Sequence, residues 1–138
     1  MSSRLSQRLG TLVAVLGLAG ALGCGPGYNE MSGKDGKRSG ARALGFGYPV
    51  DDRVSADEGD HVDWKELTLE ADGATTLRVW WDQPEDISAV VALHDRFARH
   101  VAELTHRPGA RTETLGPVPL TAGTWLIRVE ASEGASVY

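Results

Sequence analysis

Positions 120–129 of the chain read LTAGTWLIRV. The pair Ala122-Gly123 indicates a turn, and the residues that follow it alternate between two sides of the chain. Trp125, Ile127 and Val129 fall on one side, with Leu126 and Arg128 on the other. Successive side chains of a β-strand point to opposite faces, so this alternation predicts a strand that begins at a turn and covers a core with one face.

The same pattern recurs upstream. Turn-bounded runs of alternating or apolar residues occupy positions 62–69, 75–81, 87–93, 101–104 and 112–115. The run at 87–93 is more evenly apolar, as expected of a central strand that is covered on both faces. Strands at intervals of roughly 8 to 14 residues, with no 3.6-residue period between them, predict an all-β fold, an antiparallel β-sandwich of jelly-roll-like form.

Composition narrows the class of protein. The 138 residues include 17 glycines and 6 prolines, which favours many turns over long helices. Lys and Arg number 14 against 19 Asp and Glu, so the net charge of −5 speaks against a nucleic-acid partner. A single cysteine excludes an intrachain disulfide framework and a zinc cluster built on cysteines.

The first 23 residues have the layout of an export signal. Arg4 and Arg8 lie in a short polar start, and an uncharged apolar run follows over about 9–22. A spanning helix needs about 20 mainly apolar residues, so this run is too short to cross a bilayer comfortably. The glycines and proline of 23–27 then end it. We therefore predict a signal peptide over 1–23 that is removed.

The end of this signal carries a lone cysteine. Ala21, Leu22, Gly23 and Cys24 resemble the lipobox of bacterial lipoproteins, in which the cysteine is lipidated and becomes the new N-terminus. The resemblance implies a membrane partner reached through lipid on Cys24, a location in the cell envelope, and, with Gly25 next, the outer membrane rather than the inner one. The alternative is a free cysteine beside an ordinary signal-peptidase site.

The mature chain divides into two parts. Residues 24–42 are rich in glycine and basic side chains and have few apolar ones, which predicts a flexible tether. Residues 43–138 contain the strand-like runs and form the predicted sandwich.

Three motifs in the second part carry a family resemblance. They are DHVDW at 60–64, LHD at 93–95 and LTAGTWLIRV at 120–129. Residues 43–138 are similar to the bacterial pre-peptidase C-terminal domain, a β-sandwich appended to secreted peptidases and other exported proteins. Ala98 stands where the family usually has glycine. The family also continues past Tyr138 into a closing strand, so the resemblance implies an open edge that a partner covers, or a truncated sequence.

An acidic stretch is the candidate for a metal. Six carboxylates lie between Asp51 and Asp63, and calcium takes 6 to 8 oxygen ligands. Collagen-binding modules similar to this family bind calcium through an upstream acidic segment and a pair like Asp60 and Asp63; of the upstream segment, only Glu30 resembles the pattern. The resemblance thus implies a possible calcium cofactor at Asp60 and Asp63. The alternative is a solvated acidic loop.

Two adjacent tryptophans are the candidates for ligand contact. Trp80 and Trp81 must face opposite sides of one strand, so one of them can be exposed and can stack on a sugar ring or fill a pocket in a partner. Packing of one in the core with the other partly covered at the surface is the alternative.

No sequence motif indicates catalysis. The histidines lack metal-ligand spacing, and there is no nucleophile elbow or phosphate-binding glycine loop. We expect a lipid-anchored, non-enzymatic interaction or accessory domain in the cell envelope, displayed in the periplasm or at the surface. Two alternatives are open: a matrix or carbohydrate module with a protein or polysaccharide partner, and the amino end of a secreted hydrolase.

Overall fold

The computed structural model of the chain describes residues 27–138. In this part the predicted all-β sandwich is confirmed. The eight strands are β1 (Arg42–Leu44), β2 (Arg53–Ser55), β3 (Val62–Leu69), β4 (Gly73–Trp80), β5 (Ile87–Asp95), β6 (His100–Thr105), β7 (Thr112–Leu120) and β8 (Gly123–Val137). Two single-turn 3-10 helices cover Arg38–Gly40 and Ala56–Glu58.

The strands form two unequal sheets. The larger has the order β1-β3-β8-β5-β6, and β2 pairs with the far end of β8. The smaller consists of β4 and β7 alone. All pairs are antiparallel except β1 with β3. At 15 residues, β8 is long enough to pair with β3 and β5 and then to bind β2, which makes it the centre of the larger sheet.

The hydrophobic core lies between the sheets. In β3 the buried Leu67 and Leu69 alternate with the exposed Glu66 and Thr68, so the strand presents one face to the core and the other to solvent. The remaining buried apolar side chains include Val79 and Leu115 of the smaller sheet and Val91, Leu93, Ile127 and Val129 of the larger. Full burial of each such side chain contributes about 1.5 to 3 kcal/mol.

The turn between β5 and β6 is closed by one carboxylate. Asp95 Oδ1 accepts hydrogen bonds from the backbone N–H groups of Phe97 and Arg99, both at 2.9 Å. Between them Ala98 has φ of 64°, in the left-handed region. Glycine adopts this conformation without steric cost, so the alanine stands at a position whose backbone favours glycine.

The segment that precedes β1 contacts the sandwich. Asn29 Oδ1 accepts the backbone N–H of Val62 at 2.6 Å, and the carbonyl of Asp35 accepts the N–H of Trp64 at 2.8 Å. These two amides belong to the start of β3, where strand β1 does not reach. The segment therefore supplies acceptors that β3 lacks, through Asn29 and Asp35. The flexible tether over 24–42 stays a prediction.

The predicted signal and anchor lie outside the described residues. This applies to Ala21, Leu22, Gly23 and Cys24, so lipidation stays a prediction. Within 27–138, no helix has the length and apolar character needed to cross a membrane.

Candidate functional site

An apolar groove runs along β4 between the two sheets. It encloses a cavity of about 490 Å³. Leu67, Val91 and Ile127 of the larger sheet form its floor, β4 forms one wall, and the loop 45–50 lies opposite. The groove exists because the smaller sheet has only two strands and cannot cover the whole inner face of the larger one.

Two exposed aromatic side chains stand at the rim of this groove. Phe46 is 69% exposed and Tyr48 is 77% exposed. Their loop is held by a turn in which Tyr48 donates its backbone N–H to the carbonyl of Gly45 at 3.1 Å, with Gly47 at φ 79°. Large exposed aromatics beside an apolar cavity are typical of surfaces that contact a partner.

One edge of β4 is open. Trp81 donates its backbone N–H to Arg111 O at 2.8 Å, in line with the register of β4 on β7. Because hydrogen-bonded and non-bonded pairs alternate in an antiparallel ladder, Arg78 and Trp80 direct their backbone N–H and C=O groups away from β7. The same edge is paired at Asp82, whose N–H donates to Val137 O at 3.0 Å. Among the described residues no strand continues this pairing beside β4.

The far end of the groove is acidic. Beyond Thr75 it continues into a depression beside the β3–β4 turn, and the exposed carboxylates of Glu66, Glu70 and Asp72 line that depression. The groove thus joins an apolar floor to a negatively charged end.

A buried charge cluster lies under the groove, around Lys65. Its ammonium is 2.9 Å from Asp35 Oδ2, 2.5 Å from Asp52 Oδ2 and 3.8 Å from Asp63 Oδ2. Asp63 also accepts a hydrogen bond of 2.8 Å from the hydroxyl of Tyr138. The side chains of Lys65 and Asp63 are only 6% and 3% exposed, so the cluster joins the N-terminal segment, β3 and the end of the chain in a nearly dry site.

The protonation behaviour of the cluster follows from burial, from the Lys65 ammonium and from Arg42, whose guanidinium lies 3.2 Å from Asp52 Oδ2. Burial raises the pKa of Asp63 to about 7, although Lys65 and the Tyr138 hydroxyl act in the opposite direction. Burial also acts to raise the pKa of Asp52, but Lys65, with further hydrogen bonds from the Arg53 backbone and from Arg42, outweighs it and lowers that pKa. Burial alone would lower the pKa of Lys65; its bonds to Asp52 and Asp35 raise it instead. The ammonium is therefore firmly charged.

This arrangement bears on the calcium prediction. The structure brings Asp63 together with Asp35 and Asp52, a group that does not include Asp60. Lys65 places its own cation among these three carboxylates, and a calcium ion there would meet that charge at close range. The donor set fits an ammonium better than a metal. Calcium binding at Asp60 and Asp63 stays a prediction.

A second buried cluster surrounds Glu113. His106 Nδ1 lies 2.6 Å from Glu113 Oε2, and His106 Nε2 lies 2.8 Å from the carbonyl of Pro84. Trp81 and Arg107 donate further hydrogen bonds to the same carboxylate. Although burial acts to raise the pKa of Glu113, these donors lower it. Both nitrogens of His106 face oxygen acceptors, so the cluster joins the loops at Pro84 and His106 to β7.

The two tryptophans occupy different environments. Trp81 is fully buried, with its indole N–H on Glu113 Oε2 at 3.2 Å, so it cannot contact a ligand at the surface. Trp80 is half-buried, and it alternates with the inward-facing Val79. Of the predicted pair, only Trp80 is placed where a ligand could reach it.

The groove and Lys65 are the features that the sequence analysis did not identify as sites. A signal for the rim exists in the alternation of glycine and aromatic residues over 45–48. A signal for the cluster also exists, because Lys65 lies on the same face as Leu67 and Leu69 and a buried lysine requires carboxylate partners.

Comparison with known proteins assigns no family. No protein-family model matches the chain, and a search of curated proteins finds no match.

Proposed function

We propose that this protein is a lipid-anchored, non-catalytic domain of the bacterial cell envelope that binds a partner through the groove beside β4. One observation carries the proposal: an apolar groove with two exposed aromatic residues, Phe46 and Tyr48, at its rim. Exposed aromatic area of this kind is costly in water and becomes favourable when a partner covers it.

The anchor rests on the sequence. Cys24, with Ala21, Leu22 and Gly23 before it, carries the proposed lipid. With 14 basic against 19 acidic residues the chain is repelled by anionic head groups, so attachment depends on acyl chains. Intact mass of the protein from its native membrane tests this: a lipid adduct that disappears in Cys24→Ser is expected, and an unlipidated native protein would exclude the anchor.

The partner-binding role is tested by photo-crosslinking in the cell. A photo-reactive phenylalanine analogue replaces Tyr48 at the rim or, as a control, Phe97, which is 62% exposed in the β5–β6 turn. We expect a discrete adduct at position 48 at several times the yield at position 97. Equal yields at the two positions would show that the groove has no preferred partner.

A further inference from the structure

We propose that the occupant of the groove is an extended segment of a partner protein, with alternating apolar side chains and a basic end, which adds to β4 as a third strand. This inference rests on the proposed function and specifies its partner class. The open backbone edge of β4, the shape of the groove and the charge at its end support it independently.

The first argument is continuity of the hydrogen-bond ladder. The edge that carries Arg78 and Trp80 is already paired one step further on, where Asp82 donates to Val137 O at 3.0 Å. The next outward-facing N–H and C=O groups belong to Trp80 and then to Arg78. A strand beside them extends an existing line of pairing, and its main-chain bonds supply affinity without a requirement for one sequence.

The second argument is the alternation of environments beside β4. Side chains of an added strand that point the same way as Leu77 and Val79 enter the groove, above the apolar floor at Leu67 and Ile127. Side chains that point the same way as Arg78 meet solvent. The groove therefore selects an apolar residue at every second position.

The third argument is charge. Glu70 and Asp72 of the β3–β4 turn lie at the end of the groove where β4 begins, and both are exposed. Antiparallel pairing with β4 places the C-terminal end of the added strand at this acidic group. Lysine or arginine at that end of the segment is attracted, and an acidic residue is repelled. The groove therefore favours a basic residue at the end of the partner strand that lies beside the start of β4.

The experiment uses a defined peptide. The probe is an eight-residue peptide with blocked ends that alternates Val with Thr and finishes in two Lys; the protein is the chain carrying Cys24→Ser. NMR measures the hydrogen exchange of individual backbone amides. We expect at least tenfold slower exchange at Arg78 and Trp80 with saturating peptide. The amide of Val79, which faces β7, is the internal control and stays unchanged.

Matched variants distinguish backbone pairing from nonspecific hydrophobic binding, and they also test the charge argument. A peptide with N-methylated Val residues, which lacks the donors, should not slow exchange. Replacing its two Lys by Glu should weaken binding about fivefold, the factor for an exposed ion pair of about 1 kcal/mol. Glu70→Lys should reverse this preference, whereas Glu133→Lys on β8, outside the groove, should not.

Three outcomes would overturn the inference. One is unchanged exchange at Arg78 and Trp80 at millimolar peptide. Another is equal binding of the N-methylated peptide, which would mean that side chains alone are recognised. The third is protection that rises with protein concentration in the absence of peptide, which would make a second copy the occupant. A crosslink at Tyr48 would survive each of these outcomes, so failure of the inference is distinguishable from failure of the proposed function.

Discussion

The carboxyl group of Asp63 is buried, and this gives the fold a pH dependence. Burial raises its pKa to about 7, from 3.8 in the unfolded chain. The folded state thus holds the proton more tightly, and this contribution to stability is complete below about pH 4 and is lost as pH rises through 7. The loss amounts to on the order of 4 kcal/mol.

Asp63→Asn should remove this decline in the free energy of unfolding with rising pH. The amide oxygen can still accept the Tyr138 hydroxyl, and Lys65 keeps its bonds to Asp35 and Asp52. Urea unfolding between pH 4 and pH 8 should therefore show a flatter profile in the variant than in the wild type. Asp57→Asn, at an exposed position, is the control and should leave the profile unchanged. If the stability of wild type and Asp63→Asn changed with pH in parallel, the assignment of this pH dependence to Asp63 would be contradicted.

Ala98 stores backbone strain at a single residue. Its φ of 64° places the methyl group close to the following carbonyl, a cost of about 1 kcal/mol for an L-residue. Ala98→Gly should raise the free energy of unfolding by about 0.5 kcal/mol, because part of the gain is offset by the entropy of glycine in the unfolded chain. Ala102→Gly in β6 should do the opposite. Chemical denaturation measures both, and a destabilised Ala98→Gly would refute the argument.

Among the elements, the N-terminal segment is held at its start by the side chain of Asn29. Asn29 accepts the N–H of Val62 at 2.6 Å and donates to the carbonyl of Gly36 at 2.9 Å, with its own φ at 63°. Close by, Tyr28 stacks on His61 with ring centroids 4.0 Å apart. The segment is thus fixed at its start by a few contacts that lie close together.

Asn29→Ala should release the segment while the sandwich stays folded. Three lost hydrogen bonds, to Val62, Gly36 and Ser32, at about 1 kcal/mol each favour local opening by a factor of ten or more. Trypsin should then cleave at Lys34, Lys37 and Arg38 correspondingly faster, as followed by mass spectrometry. Ser39→Ala, at an exposed residue of the same segment, should not change the rate. Global unfolding of Asn29→Ala would show that the segment is part of the core.

The sequence predicts elements well where their pattern is long. The run at 62–69 is β3, and the turn at 95–99 lies between β5 and β6 as expected. β1 and β2 were not predicted, because three residues each are too few for an alternation to be recognised. Alternation also places Lys65 on the inner face, but its partners come from distant loops that only the folded chain brings together. The groove could not be predicted, since strand patterns do not indicate which edges stay unpaired.

At the scale of the whole molecule the two sheets should differ in stability. A two-stranded sheet such as β4–β7 is marginal by itself and depends on packing against its neighbour. Its outer amides should exchange at least tenfold faster than those of β8, which is paired on both sides to β3 and β5. Hydrogen exchange with mass spectrometry measures this, and uniform exchange across both sheets would contradict it.

The position of β8 in the larger sheet bears on the order in which the chain can fold during synthesis. β3 and β5 have no direct pairing with each other, and the strand between them is the last of the eight to leave the ribosome. Until it emerges, neither neighbour has its main partner, and the larger sheet cannot be completed. For a chain whose first residues resemble an export signal, we expect this late closure to leave the sandwich unfolded while export begins.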